Sequence, residues 1–113
     1  MPLLDERQFR DAADAALDSL VRALERAADR YDFEVDRNAG AISIEFENPP
    51  AKFVVSPNAP VRQIWVSARV KSFKLDWDEA RSAFVLAADG RPLLQLIADV
   101  VSEQLGKPVS LNL

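Results

Sequence analysis

The sequence contains no cysteine and no histidine. Without cysteine there is no disulfide, no thiolate metal site, no iron–sulfur ligation by the chain itself and no Cys nucleophile. Without histidine there is no imidazole metal ligand and no Ser-His-Asp arrangement, and the commonest general base is missing. No P-loop, GxGxxG, GxSxG or zinc spacing occurs. No apolar run approaches the ~18 residues that a membrane helix needs. The N-terminal MPLLDERQF lacks a basic segment followed by an apolar one, so no secretory signal is expected. What remains is 113 residues, 49% apolar and 28% charged, with a net charge of only −4. That is the make-up of one globular domain spanning residues 1–113, and a cytoplasmic protein with no membrane association is expected.

The charge is unevenly placed. Residues 1–50 hold 12 acidic and 6 basic side chains, whereas residues 51–113 hold 6 acidic and 8 basic ones. Residues 48–75 contain no acid but carry Lys52, Arg62, Arg69, Lys71 and Lys74. The overall acidity argues against nucleic acid as a partner, because neutralising phosphates takes clustered Lys and Arg.

The first element reads as a helix. Asp5 is a suitable N-cap, Gln8 completes a capping box, and Leu4 with Phe9 can form a hydrophobic staple. Phe9, Ala13, Ala16, Leu17, Leu20, Leu24, Ala27 and Tyr31 then recur at steps of three and four, which predicts a helix to about Arg30 or Tyr31. The period next switches to two. FEVDR and AISIEFE, separated by Asn38-Ala39-Gly40, read as a β-hairpin. Asn48-Pro49-Pro50 turns the chain into KFVVS, and RQIWVSA, KSFKLDW and AFVLA follow as further strands. Pro92 suits a first helical position, Leu93, Leu96, Ile97, Val100, Val101 and Leu105 form a second apolar stripe, and Gly106 with Pro108 ends it. In the tail, Val109, Leu111 and Leu113 alternate and are expected to pack between the helices. No helix joins two strands, so the sheet is expected to be antiparallel. The predicted fold is α+β: a two-layer α/β sandwich, with both helices on one face of five or six strands and the other face open to water.

Two candidate sites follow. On the open face, alternation places Gln63, Trp65 and Ser67 outward, among Glu34, Asp36, Ser43, Glu45, Lys74 and Asp76. A tryptophan on a polar sheet face is either packed flat on its neighbours or held out for a partner that buries it. The second candidate is a run of carboxylates: Glu25 and Asp29, four apart on the helix, then Asp32, Glu34 and Asp36. Such an all-oxygen, hard set suits Fe(II), Fe(III), Mn(II), Ca(II) or Mg(II) without strong selection, and no loop motif fixes a coordination sphere. Arg22, Arg26 and Arg30 recur every four residues beside them and could pair with Asp18, Glu25 or Asp29, leaving an ordinary solvated helix face. These carboxylates lie on a convex helix and an open sheet, not in a dry pocket that shifts pKa values, so catalysis is not expected.

The stretch Pro60-Val61-Arg62-Gln63-Ile64-Trp65-Val66-Ser67 is similar to the P-x-x-Q-[IV]-W-[LV]-[SA] signature of the bacterial frataxins of the CyaY type. IEFEN at 44–48, the strand at 73–76, the Asp89-Gly90 turn and the LLQLI start of the last helix support the resemblance, which runs over residues 9–113. The resemblance implies a frataxin fold. It also implies a non-catalytic protein of iron–sulfur cluster assembly that binds iron (Fe2+/Fe3+) weakly, as donor or sensor, and regulates the cysteine desulfurase–scaffold complex. A monomer is expected, with iron-dependent oligomers as the alternative. Carried over by position, the acidic ridge falls on Glu25, Asp32, Glu34 and Asp36, with Asp29 one place out of register, and the sheet-face pair falls on Gln63 and Trp65. The chain departs from the pattern with Arg22, Arg26, Ala28 and Arg30 on the ridge, Ser56-Pro57-Asn58, Lys71-Ser72, Phe84 for a tryptophan, and two extra residues within 78–83. The rival reading is a small-ligand or anion-binding module that uses the basic 52–74 region.

Overall fold

A computed structural model describes residues 4–38, 40–47 and 49–111. The elements are helix α1 (Glu6–Ala28), strands β1 (Glu34–Asn38), β2 (Ala41–Glu47) and β3 (Pro50–Asn58), a single 3-10 turn (Ala59–Val61), strands β4 (Gln63–Ala68), β5 (Lys71–Asp78) and β6 (Ala83–Leu86), and helix α2 (Leu93–Leu105). The six strands form one sheet in chain order, and every neighbouring pair is antiparallel. Both helices bury their apolar stripes with the inward residues of the sheet, which gives the two-layer α+β sandwich expected.

Helix α1 starts as its sequence requires. The Gln8 amide N–H donates to Asp5 Oδ1 at 2.7 Å, and the Asp5 amide donates back to Gln8 Oε1 at 3.0 Å. Each bond satisfies a donor that the first helical turn leaves open. The buried stripe is Phe9, Ala13, Leu17, Leu20, Ala23, Leu24 and Ala27; Ala16 and Tyr31, expected within it, are only half-buried. The helix ends at Ala28, two to three residues short of expectation, with Asp29 as its C-cap. The chain turns there so that Phe33 can enter the core, where its ring lies 5.8 Å from that of Phe46.

The strand limits differ from the expectation in a way the register explains. β3 runs on through Pro57, which lies opposite Ile64. Beyond Val55 it has no partner in β2, so that flank is a local edge, where a proline is tolerated. Pro92 is the N-cap of α2, not its first helical residue, because its backbone still bridges to Val85. Phe84 fits where a larger aromatic was expected. Its ring meets Phe9 edge-on at 5.7 Å and Trp77 at 5.1 Å. The extra residues within 78–83 make a turn in which Ser82 takes a positive φ of 50°.

Gly106 closes α2 in the left-handed region, with φ 71°. The tail then doubles back. The Val109 amide donates to Ser102 Oγ at 2.9 Å, and Val109 and Leu111 are buried between the helices as expected. Of the turn and tail residues read from sequence, Ala39, Asn48 and Leu113 lie outside the described residues. The connection into α2 is held by Arg91, which donates to Asp99 and to Asp89, each at 2.9 Å. The bond to Asp99 first, and then the one to Asp89, raise the Arg91 pKa above the ordinary arginine value.

Candidate functional site

Strand alternation gives the sheet its open face, and the register decides which side chains meet there. In β4, Ile64 and Val66 are buried under the helices while Trp65 is 38% exposed on the other side. The two-residue turn Arg69-Val70 sets Trp65 opposite Lys74 and Gln63 opposite Asp76. Gln63 donates from Nε2 to Asp76 Oδ1 at 2.9 Å and accepts from Trp65 Nε1 at 3.0 Å. Lys74 Nζ lies 5.1 Å from the centre of the indole. The tryptophan is therefore held on both sides: its N–H is fixed by an amide oriented by a carboxylate, and its face carries a cation. An indole held in this way loses little freedom when a partner covers it.

The five carboxylates run from the helix layer to the edge of this face. Glu25 lies on the last turns of α1 and Asp29 is its C-cap; both are exposed. Asp32 is exposed in the connection to β1. Glu34 and Asp36 alternate with Val35 and Arg37 on β1, the edge strand, and both are exposed. Glu34 faces Glu45 across the β1–β2 pair, and Glu45 in turn faces Lys52. Glu25 and Asp29 share a shallow depression of about 270 Å³ with Arg22 and Arg26. Among the described residues, no group of three or more carboxylates converges as a metal-holding set. The five are spread over the end of α1, the connection after it and the edge strand β1.

Sequence reading singled out Gln63 and Trp65, and the structure joins them directly. It passed over Lys74, Asp76 and Glu45 as no more than outward neighbours. The missing signal was register. Once the Arg69-Val70 turn is placed, counting back along both strands gives 65 opposite 74 and 63 opposite 76. One of the acids that the α1 arginines could have paired with is taken elsewhere. Asp18 pairs with Arg37 of β1, which ties the edge strand to the helix. The basic 52–74 region does not form a separate anion site. Lys71 is 3.8 Å from Glu103, Lys74 lies over Trp65 and Arg62 donates to the Leu4 and Ala59 carbonyls, so three of its cations already have partners.

A family model described as a frataxin-like domain matches residues 2–107. An iron-sulfur cluster assembly protein CyaY from Azotobacter vinelandii is 36% identical over 93 residues, which cover 80% of this chain and 84% of that one. Its namesake from Cupriavidus taiwanensis is 33% identical over 114 residues, covering 99% and 100%. Among solved structures, a frataxin from Psychromonas ingrahamii superposes with a TM-score of 0.82 at 18% identity, covering 97% of this chain and all of that one. A trimeric frataxin from Saccharomyces cerevisiae, complexed with ferrous iron, superposes with a TM-score of 0.70 at 22% identity, covering 85% and 87%. These two structures bear on the fold. The family model and the curated relatives bear on descent, and they give no support to an unrelated anion-binding module.

Proposed function

This chain belongs to the frataxin-like family, and from that premise we propose that it serves iron–sulfur cluster assembly in the cytoplasm as an iron-binding regulator of the cysteine desulfurase–scaffold complex. In this reading it is not an enzyme. Iron is its cargo, held through Glu25, Asp29, Asp32, Glu34 and Asp36. The donor set fits that role. Exposed carboxylates that do not converge offer hard oxygen ligands to Fe(II) or Fe(III), yet leave most of the ion's coordination to water. Binding of this kind is weak and quickly reversed, which suits a donor or sensor. The same carboxylates dock on a basic surface of the desulfurase, while Trp65, oriented by Gln63, makes the apolar contact. Iron and partner thus compete for one rim, so iron loading tunes docking.

The observation that carries this reading is a shared face. Glu34 and Asp36 alternate onto the same open sheet face as Trp65, separated from it by β2 and β3, and the connection that carries Asp32 leads from them to Asp29 and Glu25 at the end of α1. Rim charges of this sort set the association rate and its salt dependence more than the final affinity. The test is a binding assay against the desulfurase–scaffold complex at low and high salt, with calorimetric titration of Fe(II). The Asp32→Lys/Glu34→Lys variant is expected to weaken docking about tenfold at low salt and much less at high salt. Replacing Asp29, Asp32, Glu34 and Asp36 by alanine is expected to remove most of the heat of iron binding. Salt-insensitive docking, or iron binding untouched by the quadruple variant, refutes the reading.

A further inference from the structure

Among the described residues, little beside Trp65 can brace an indole. Ser56 lies opposite it on β3 and Ser67 is two residues along β4, and both side chains are too short to confine the ring. Two residues of β5 restrain it instead. Lys74 lies over the ring, and Asp76 reaches it through Gln63. Positions 74 and 76 alternate onto the same side of β5, so one strand supplies both restraints. The direction of the hydrogen bonds makes the second a chain of dependence. An indole N–H only donates and a carboxylate only accepts, whereas a glutamine amide does both and can turn either end to a neighbour. Left to itself, the Gln63 amide exchanges both its ends with water. The Asp76 carboxylate removes that freedom: it takes Nε2 at 2.9 Å, which leaves Oε1 for the indole at 3.0 Å.

We propose that Asp76 is a positioning residue for docking: it acts through Gln63 to hold Trp65 in the orientation that a partner covers, and its contribution runs entirely through that indole. This role rests on the docking proposed above and separates the residue that makes the contact from the one that prepares it. Its size is bounded. A side-chain torsion has three staggered wells, and affinity falls in proportion to the population of the competent one. Release of the indole from one well into three therefore weakens docking about threefold. Lys74 above the ring keeps the loss from growing further, because it restrains the indole without Gln63. What Asp76 supplies is an acceptor that fixes an amide, not a charge offered to the partner. An asparagine at the same position retains that acceptor, whereas an alanine does not.

The first measurement needs no partner. The chain has two tryptophans, and Trp77, packed on Phe84 on the helix side of the sheet, donates its own N–H to Glu79 at 2.9 Å. Its indole signal in a proton–nitrogen NMR spectrum of the full chain is the internal reference. Asp76→Ala is expected to shift the Trp65 indole N–H and speed its exchange with water, while the Trp77 signal and the unfolding midpoint stay in place. Asp76→Asn is expected to restore the wild-type signal. The second measurement is equilibrium binding of the cysteine desulfurase–scaffold complex to the wild type, Asp76→Ala, Asp76→Asn, Trp65→Ala and Asp76→Ala/Trp65→Ala. Asp76→Ala is expected to weaken binding about threefold beside Trp65, and to add no loss once Trp65 is alanine. An unmoved Trp65 indole signal in Asp76→Ala overturns the inference. So does unchanged binding by Asp76→Ala while Trp65→Ala weakens it. Binding by Asp76→Asn as weak as by Asp76→Ala overturns it too, because charge and not the acceptor is then at work. A loss that persists without Trp65 does the same, because Asp76 then meets the partner directly. In each of these cases docking by the wild type leaves the functional reading intact; no binding by the wild type brings down both.

Discussion

The two faces of the sheet are built from the same six strands and obey different rules. On the helix side, Ile42, Ile44, Phe53, Val55, Ile64 and Leu75 are buried to 1% exposure or less. One residue along in the same strands, Ser43, Glu45, Lys52, Trp65 and Lys74 face outward. The buried face is fixed by energy: every side chain fills space that its neighbours leave, and each methylene removed from water contributes about 0.8 kcal/mol. The open face carries no such constraint. It is free to hold charges in an order that suits a partner, and to expose an indole that the core could have used. The two faces should therefore respond to truncation in opposite ways. The largest effect is expected at Phe53, whose ring lies 4.8 Å from that of Phe46 in the middle of the sheet. Phe53→Ala should cost about 3–5 kcal/mol in a urea or thermal unfolding curve, a large share of a small domain's total stability. A loss below about 1 kcal/mol means that the two layers do not meet there as described.

Trp65 tests the other face. It is larger than Phe53, and its truncation should nonetheless leave the fold nearly untouched. What it gives up is one hydrogen bond to Gln63 and a cation above its ring, in partial contact with water. Exposed interactions of that kind contribute roughly 0.5–1 kcal/mol each. Docking should suffer more than stability. A buried tryptophan at an interface typically contributes about 2 kcal/mol or more, roughly a thirtyfold change in affinity. Trp65→Ala is thus expected to unfold close to the wild-type midpoint while binding the desulfurase–scaffold complex far more weakly. A large loss of stability with unchanged binding would place the indole among the structural residues.

How far these features were legible in the sequence depends on the distance between the residues that make them. The Asp5–Gln8 capping box spans three residues and both its bonds form. The period-two strands place Ile42, Ile44, Phe46, Ile64 and Val66 on their correct side, because alternation is local. Helix α1 was read two to three residues too long, since what ends it is Phe33 entering the core, an event outside the helix. Of the candidate sites, Gln63 and Trp65 were legible because both lie on one strand, two residues apart. The Lys74 and Asp76 contacts depend on the register across a turn. The pairing of Asp18 with Arg37 spans 19 residues, and without it Asp18 reads as a partner of Arg22. Composition shows how many charges this part of the chain carries, but only the tertiary arrangement shows that Asp18 is tied to the edge strand.

The smallest predicted effect, at Glu34, opposes in sign the truncation at Phe53. Glu34 lies on the edge strand, so β2 is its only neighbour in the sheet, and the residue it faces is Glu45. Glu45 has Lys52 on its other side, whereas among the described residues no cation forms an ion pair with Glu34. Like charges directly opposite in an antiparallel pair are destabilising by a few tenths of a kcal/mol up to about 1 kcal/mol. Glu34→Gln keeps the shape and removes the repulsion, so it should raise the unfolding free energy by about 0.5 kcal/mol at low salt. The gain should shrink toward zero as salt screens the wild-type pair. The same variant should bind Fe(II) more weakly, because it deletes one of the five carboxylates. Stability and iron binding then move in opposite directions at a single residue, as expected of a position retained for a ligand at the fold's expense. A destabilised variant would mean that Glu34 is held by a partner on the rim, and that the repulsion across β1 and β2 is already neutralised there.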